Sequence, residues 1–263
     1  MHWPKITGII SDLDGVTYRG DEPIDSAVGA FQKWAEIGLP YAFVTNNSTK
    51  SAEEFSVKLN GMGIPADPAH IVTTSAVAAD YLADLLKPAS RVMVIGAQAL
   101  ERAVANRGFE IAEDNVAAVI AGLDRSFTCG TLARAQTALL QGAHFIGTNP
   151  DSKLPTDSGF EPGAGAILKA IETASGVKPT IIGKPNPDLV AKALSILGTD
   201  PRSTFMIGDQ IMTDIAAGHA AGIQTIRVRT GVIEDKPLEL SPDFNVETLA
   251  CIPMDAISAA KDS

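Results

Sequence analysis

Cysteine is scarce in this chain of 263 residues, which contains only Cys129 and Cys251, far apart in the sequence. Two cysteines in a chain of this length do not make a disulfide framework and favour a reducing compartment. The sequence also lacks an apolar run of the about 18 to 20 residues that a membrane span needs, and residues 1–5 contain no apolar segment of signal-peptide length. These absences predict a cytoplasmic protein that does not bind a membrane.

Clusters of basic residues are missing as well. The chain has 21 Lys and Arg against 31 Asp and Glu, for a formal net charge of −10. Proteins that bind nucleic-acid phosphates present basic patches, and single-stranded bases stack on aromatic side chains, which make up only 5% of this chain. The composition therefore argues against a nucleic-acid partner.

What the sequence does contain is a regular alternation of short apolar strands and amphipathic helices. This order predicts parallel sheets with helices on both faces. The number of units exceeds what one sheet of common size needs. We therefore predict two α/β domains: one formed by residues 1–87 and 179–263, and a second formed by residues 88–178 and inserted into the first. Proline-containing breaks at Lys87-Pro88 and near residues 176–179 mark the joints. A single long open sheet is the alternative.

Polar side chains directly follow four of the predicted strands. They are Asp12 and Asp14 after the first strand, Thr45 and Asn46 after the second, Lys184 after the strand that begins at Thr180, and Asp209 after the strand that begins at Phe205. Taken alone, Asp12 to Gly15 would be typical of a turn. Because ligands bind outside the carboxyl ends of strands in open parallel sheets, the four strand ends together predict a binding site.

The residue types at these strand ends favour a metal and a phosphoryl group. Three carboxylates at one sheet edge would raise one another's pKa unless a cation neutralised them. All-oxygen ligands suit a hard cation such as Mg²⁺, and the four histidines are scattered along the chain, which disfavours zinc. A lysine and a threonine hydroxyl beside such an ion suit phosphate oxygens. The residues therefore predict phosphoryl transfer with Mg²⁺ as cofactor.

The same residues resemble the haloacid dehalogenase (HAD) superfamily of phosphohydrolases. Its four motifs occur in order as Asp12-Leu13-Asp14-Gly15-Val16, Thr45-Asn46, Gly183-Lys184-Pro185 and Gly208 to Asp214. The long insert between the second and third motifs, with the stretches Val44 to Ser48 and Thr148 to Asp151, resembles the NagD-like branch, subfamily IIA. The resemblance implies a Rossmann-like parallel-sheet core with an inserted α/β cap domain of the C2 type.

The resemblance also implies the roles of the acids. Asp12 is expected to be the nucleophile that forms an aspartyl-phosphate. Asp14 is expected to be the general acid that protonates the leaving group and then the base that activates water. Asp12, the backbone carbonyl of Asp14, and Asp209 are the metal ligands that the family pattern implies. Relatives that are dehalogenases lack the acid at the position of Asp14, so its presence favours a phosphatase.

For the remaining motif residues, the resemblance implies binding and supporting roles. Thr45 and Lys184 are expected to bind phosphate oxygens, together with the backbone N–H of Asn46. Asp214 is expected to orient Lys184 or a metal-bound water. Gln210 stands where many relatives have Asn, and we expect its longer side chain to shift a supporting contact without removing metal binding.

Four residues of the predicted inserted domain are candidates for substrate contacts. Asp124 and Arg125 follow a strand there and either face the substrate or lie in a solvent-exposed turn. Asn149 and Asp151 also follow a strand, and similar residues in relatives favour a role in the closed site. Relatives often pair through the cap, so a homodimer is a further expectation, although no residue in this sequence establishes it.

The sequence as a whole predicts a Mg²⁺-dependent phosphatase. Its expected substrate is a small phosphorylated metabolite, such as a nucleotide, a glycerol phosphate or a sugar phosphate, with p-nitrophenyl phosphate as an artificial substrate. Two alternatives stay open. The first is a phosphotransferase or mutase of the same superfamily, and the second is a non-catalytic regulator that binds a phosphorylated ligand.

Overall fold

The structure is a computed structural model that describes residues 3–156, 159–231 and 239–258. Strands and helices alternate in it, as the sequence predicts. The strands in chain order are β1 (Gly8–Ser11), β2 (Tyr18–Arg19), β3 (Glu22–Pro23), β4 (Tyr41–Thr45), β5 (Ile71–Thr73), β6 (Arg91–Ile95), β7 (Glu110–Ile111), β8 (Ala118–Ala121), β9 (His144–Gly147), β10 (Lys153–Thr156), β11 (Gly159–Pro162), β12 (Thr180–Ile181), β13 (Thr204–Gly208), β14 (Gln224–Val228) and β15 (Phe244–Val246).

The α-helices separate these strands and are mostly three turns long. They are α1 (Asp25–Glu36), α2 (Ala52–Gly61), α3 (Thr74–Leu85), α4 (Gln98–Asn106), α5 (Cys129–Leu140), α6 (Ala164–Ser175), α7 (Asp188–Leu197) and α8 (Ala216–Ala220). A π-helical turn, Ile211–Ile215, precedes α8. No helix in the described part of the chain is both long and apolar enough to cross a membrane.

The described chain divides into two compact units. The first unit is drawn from the segments Met1–Thr45, Ala52–Val72 and Lys184–Ser263. Its six-stranded sheet has the order β15-β14-β13-β1-β4-β5, in which β1 pairs in parallel with β4 and β13, and β14 and β15 continue in parallel from β13. This is the Rossmann-like parallel sheet that the sequence predicts.

Apolar packing in the first unit fixes the positions of the strand ends. Every residue of β1 and of β13 is buried, as expected for parallel strands covered on both faces. Helix α1 buries Phe31 and Trp34, and the Phe31 ring lies 4.9 Å, centroid to centroid, from the rings of Trp34 and of Phe43 on β4. Asp12 and Asp209 are the first residues after β1 and β13, so the packing of these strands fixes where the two acids lie.

The second unit comprises residues 46–51 and Thr73–Gly183. Its five-stranded sheet has the order β12-β9-β8-β6-β7, and all of its pairings are parallel. Helices α5 and α6 pack together, and its core contains Val119, Phe145 and Leu168. The antiparallel hairpin β10–β11 forms a two-stranded sheet of its own. Because two separate sheets are present, the alternative of one long open sheet is wrong.

Two predicted features differ from the structure. The strand that begins at Thr180 was assigned to the first sheet, but it pairs with Ile146 and Gly147 of β9 in the second. With only two residues it carries no periodic signal that could have assigned it. The predicted joints, between residues 87 and 88 and between 178 and 179, both lie inside the second unit, because α3 packs against α4 and β12 pairs with β9. The assignment of the units as a HAD core and a C2-type cap stays a prediction.

Candidate active site

Asp12 lies in a buried ion cluster of the first unit. Its backbone N–H donates to the carbonyl oxygen of Ile207 on β13 at 2.9 Å, which fixes the chain where β1 ends. The Lys184 ammonium donates to Asp12 Oδ1 and, at 2.7 Å, to Asp214 Oδ1. The exposed fraction is 6% for Asp12, 2% for Lys184 and 1% for Asp214. Three charges are therefore held together away from solvent, where any one of them left unpaired would be strongly destabilising.

Burial and the neighbouring charges together shift the pKa values of Asp12 and Lys184. Burial raises the pKa of Asp12 well above its usual value; Lys184 opposes that shift, whereas the carboxylates of Asp214 and Asp209 add to it. Burial also lowers the pKa of Lys184, but the Asp12 and Asp214 carboxylates outweigh it and hold that pKa above its usual value. Lys184 is therefore cationic at neutral pH. A further positive charge nearby would stabilise the ionised form of the Asp12 carboxyl group.

A third acid, Asp209, completes a set of oxygen ligands. Carboxylate oxygens of Asp12, Asp209 and Asp214 all lie within 4.8 Å of one another. Arg227 Nε donates to the backbone oxygen of Asp209 at 3.0 Å, yet the carboxylates outnumber the cationic groups even when Arg227 is counted with Lys184. A buried set of carboxylates with excess negative charge fits a hard divalent cation, which prefers oxygen ligands.

Glycines allow the backbone to approach these acids closely. A Cβ atom at Gly208 would lie 2.0 Å from Asp214 Cβ, and one at Gly231 would lie 2.0 Å from Asp209 Oδ2. Gly15 has a φ of +82°, and a Cβ there would lie 2.6 Å from Asp209 Oδ2. Sequence reasoning missed Gly231, because it is far from the four motifs and only the folded chain brings it to Asp209.

Asp14 differs from Asp12 in being exposed. Its Oδ2 accepts a hydrogen bond from the Tyr18 hydroxyl at 3.3 Å, and the N–H of Gly15 donates to the Tyr18 carbonyl at 2.8 Å. Burial raises the pKa of Tyr18 far above its usual value, and the Asp14 carboxylate adds to this, so the phenol stays protonated and can donate to the Asp14 carboxylate. Sequence reasoning also missed Tyr18, since an aromatic residue in a short strand is normally a core residue.

The structure places the remaining motif residues of the first unit beside this cluster or on the adjacent strand. Thr45 is the last residue of β4, the neighbour of β1, and it is buried. The backbone N–H of Gln210 donates to Asp214 Oδ2 at 3.1 Å. This contact uses the main chain, so it does not depend on whether the residue is Gln or Asn.

Asn46 belongs by its contacts to the second unit. Its Nδ2 donates to Asp151 Oδ2 at 3.0 Å, and its backbone oxygen accepts from Asn149 Nδ2 at 2.8 Å. The same oxygen accepts from the Thr74 hydroxyl at 3.0 Å. The structure thus joins three residues that the sequence singled out, Asn46, Asn149 and Asp151, in one hydrogen-bonded cluster.

Asp124 and Arg125 lie on a more exposed part of the second unit. Asp124 Oδ1 accepts from the backbone N–H of Ser126 at 2.7 Å and from its hydroxyl at 2.6 Å, which is the pattern of an Asx turn. Arg125 Nη1 lies 2.5 Å from Glu161 Oε2 on β11, and the Arg125 side chain is 67% exposed and that of Glu161 43%. Of the two alternatives for Asp124 and Arg125, these contacts fit a solvent-exposed turn. A role of the two residues in substrate binding stays a prediction.

Comparison with known proteins places this geometry among phosphatases. The family described as haloacid dehalogenase-like hydrolase matches residues 9–110, and one described as HAD-hydrolase-like matches residues 181–252. The chain is 39% identical over 225 residues to 5'-nucleotidase YutF of Bacillus subtilis, across 86% of this chain and 88% of that one.

Solved structures agree over nearly the whole chain. A double-mutant thermostable NPPase from Geobacillus stearothermophilus matches with a TM-score of 0.90 and 40% identity, over 95% of this chain and 99% of that one. A glycerol phosphate phosphatase from Mycobacterium tuberculosis, in complex with calcium, matches with a TM-score of 0.85 and 32% identity, over 93% of this chain and 74% of that one.

Proposed function

We propose a mechanism for this chain from its family, since it belongs to the haloacid dehalogenase-like hydrolases of the NagD-like family and is a phosphomonoester hydrolase. In this proposal it is a Mg²⁺-dependent phosphatase that works through an aspartyl-phosphate on Asp12. The observation that carries the proposal is the buried cluster at the ends of β1 and β13. Its Asp12 carboxylate is held in place by Lys184, and its three acids can share one cation.

In the first chemical step, a carboxylate oxygen of Asp12 attacks the phosphorus atom of the monoester. A phosphorus–oxygen bond to Asp12 forms as the bond to the ester oxygen breaks. The electron pair leaves on the ester oxygen, which takes a proton from the Asp14 carboxyl group and departs as an alcohol. Splitting the hydrolysis in this way replaces one difficult step by two easier ones.

In the second step, water attacks the phosphorus of the aspartyl-phosphate and gives its proton to the Asp14 carboxylate. The bond to Asp12 breaks, inorganic phosphate forms, and both acids return to their starting states. The exposure of Asp14 suits this role, because its side chain must reach both the leaving group and a water molecule.

Lys184 and Thr45 position the phosphoryl group. The Lys184 ammonium is already fixed by Asp12 and Asp214, so it can meet phosphate oxygens without further ordering. Asp12, Asp209 and the backbone carbonyl of Asp14 would hold Mg²⁺, which supplies charge neutralisation for the phosphate oxygens. Asp214 supports Lys184 through the second of these hydrogen bonds.

The substrate is a small phosphorylated metabolite in this proposal. The relatives named above include a 5'-nucleotidase and a glycerol phosphate phosphatase, which supports a nucleotide or a glycerol phosphate as substrate, and a sugar phosphate is the third candidate. We assign the second unit as the C2-type cap that selects among them. Asp124, Arg125, Asn149 and Asp151 are its candidate contacts, and pairing of two copies through this unit is a further prediction that the family resemblance implies.

The test is Asp12→Asn, which keeps the size of the side chain but removes the charged nucleophile. With p-nitrophenyl phosphate and Mg²⁺ we expect the release of phosphate to fall by about 10³-fold or more. Asp200→Asn is the matched control, because it removes an exposed carboxylate from the same unit, one whose oxygens accept from the backbone N–H and the guanidinium of Arg202. Acid-quenched wild-type protein should carry a phosphoryl group on the peptide that contains Asp12.

Turnover retained in the Asp12→Asn variant would overturn this mechanism. Release of free phosphate without an added acceptor separates the phosphatase from a phosphotransferase or mutase. Tight binding of a phosphorylated ligand without hydrolysis in Mg²⁺ would instead favour a non-catalytic regulator.

A further inference from the structure

We propose that Tyr18 is a positioning residue that holds the Asp14 carboxyl group in the orientation needed for proton transfer to the leaving group. The inference rests on the proposed function, in which Asp14 supplies that proton. Its starting observation is the hydrogen bond from the Tyr18 hydroxyl to Asp14 Oδ2 at 3.3 Å. Catalytic hydrogen bonds are often this long without substrate and shorten when it binds.

The backbone makes a tight loop that returns Tyr18 to Asp14. The hydroxyl and the N–H of Thr17 both bond to the Leu13 carbonyl oxygen, at 2.7 and 2.8 Å, and the Gly15 N–H donates to the Tyr18 carbonyl oxygen. Asp14 and Tyr18 are themselves paired as an isolated bridge. Four residues apart in sequence, the two side chains are thus set against each other by main-chain geometry.

The Tyr18 ring is also held by Lys58 of α2, whose ammonium lies over the ring. The Lys58 Nζ atom lies 3.9 Å from the ring centroid, a cation–π distance. That ammonium is itself fixed, since it donates to the Gly20 carbonyl oxygen at 2.6 Å and lies 3.4 Å from Asp21 Oδ1. With only 1% of Tyr18 exposed, its hydroxyl is a rigid donor facing an exposed carboxylate.

Packing alone does not account for a tyrosine here. A buried ring needs no hydroxyl, and a buried hydroxyl is destabilising unless it finds a partner. The half-buried Tyr41 of the same unit meets that need with a backbone oxygen, that of Pro65, at 2.7 Å. Tyr18 instead directs its hydroxyl to the carboxylate that must transfer a proton, and a displacement of that group by about 1 Å is enough to slow catalysis strongly.

The experiment compares two aryl monoesters of similar shape, p-nitrophenyl phosphate and phenyl phosphate. Nitrophenolate leaves readily without a proton, whereas phenolate depends on the general acid. We expect Tyr18→Phe to lower kcat/KM for phenyl phosphate by about tenfold or more and for p-nitrophenyl phosphate by less than about threefold, since one positioning bond is lost from a general acid worth about 10² to 10⁴. A purely structural role would lower both values equally.

Tyr41→Phe is the matched control, because it removes a hydroxyl with a comparable hydrogen bond from the same unit, and it should leave the ratio of the two kcat/KM values unchanged. Lys58→Met removes the ammonium over the Tyr18 ring and leaves Tyr18 itself unchanged. It should shift the ratio of the two kcat/KM values in the same direction as Tyr18→Phe, by a smaller factor. An unchanged ratio in Tyr18→Phe, or an equal change in Tyr41→Phe, would overturn the proposal.

Asp14→Asn separates failure of this proposal from failure of the function on which it rests. If Asp14→Asn loses far more activity on phenyl phosphate than on p-nitrophenyl phosphate while Tyr18→Phe does not, then only the role of Tyr18 is overturned. If Asp14→Asn shows no such bias, then the general-acid role of Asp14 in the proposed function is wrong, and the positioning role of Tyr18 falls with it.

Discussion

The two units differ in whether the charged side chains described above are buried. In the first unit, Asp12, Lys184, Asp209 and Asp214 are all nearly inaccessible to solvent. In the second, the charged pair described above, Arg125 with Glu161, remains accessible to solvent, with side chains 67% and 43% exposed. Burying charges opposes folding unless they are paired or bind a metal, so a cluster like that of the first unit points to function.

The polar candidates of the second unit are satisfied by their own neighbours. Asp124 closes a turn with Ser126, and Asn149 bonds to the main chain of Asn46. Contacts of this kind fix the local backbone conformation, and they do so without burying an unpaired charge. The comparison therefore supports the proposal that the chemistry belongs to the first unit, and any part of the second unit in substrate selection has to be measured.

The largest difference between the units should follow from removing one cation from each. Lys184→Met leaves Asp12 and Asp214 buried without their shared ammonium, so we expect unfolding in urea to become easier by about 3 to 5 kcal/mol. We also expect phosphatase activity to be lost. Arg125→Met removes a cation from an exposed pair and should change stability by less than about 1 kcal/mol. Similar losses in both variants would contradict the comparison.

A smaller effect is expected from the metal. Mg²⁺ at about 100 times its dissociation constant should stabilise the protein by about 2.7 kcal/mol if it binds only the folded state, and EDTA should reverse this. Asp209→Asn should abolish most of that stabilisation in thermal unfolding. Asp124→Asn keeps the acceptor that closes its turn and should preserve the stabilisation in full. Mg²⁺ stabilisation that survives Asp209→Asn but is lost in Asp124→Asn would move the metal to the second unit.

The smallest effect is expected within the second unit. Asn149→Ala removes the hydrogen bond to the Asn46 carbonyl oxygen and should lower the free energy of unfolding by about 1 to 2 kcal/mol. Ser126→Ala, at an exposed turn, should change it by less than about 0.5 kcal/mol. A fall in kcat/KM in Asn149→Ala with unchanged stability would contradict this structural role and assign Asn149 to the substrate site.

Much of the fold could be predicted because its signals are local. Alternating apolar strands and helices predict parallel sheets, and the acids that follow β1 and β13 mark a sheet edge. The two-residue strand β12 was assigned to the wrong sheet, since such a short segment has no period. The predicted joints fall inside the second compact unit, because the packing of α3 on α4 and the pairing of β12 with β9 are contacts that hydrophobic pattern does not reveal.

The candidate site was predictable to the same degree. The motif residues Asp12, Lys184, Asp209 and Asp214 are recognisable by type and order, and the structure brings them together. Gly231 was not predictable, since a glycine in a loop has no signature until a carboxylate is placed against it.

The sequence by itself determined the class of this protein: an α/β phosphomonoester hydrolase with carboxylates, a lysine and a threonine at its strand ends. These features depend on residue type and spacing, which the chain carries before it folds. Only the tertiary structure decided which of those groups are buried together and which stay exposed. It separated Asp12, packed against Lys184, from Asp14, which lies two residues away in reach of Tyr18. Burial and pairing arise from distant segments meeting, and no local pattern encodes them.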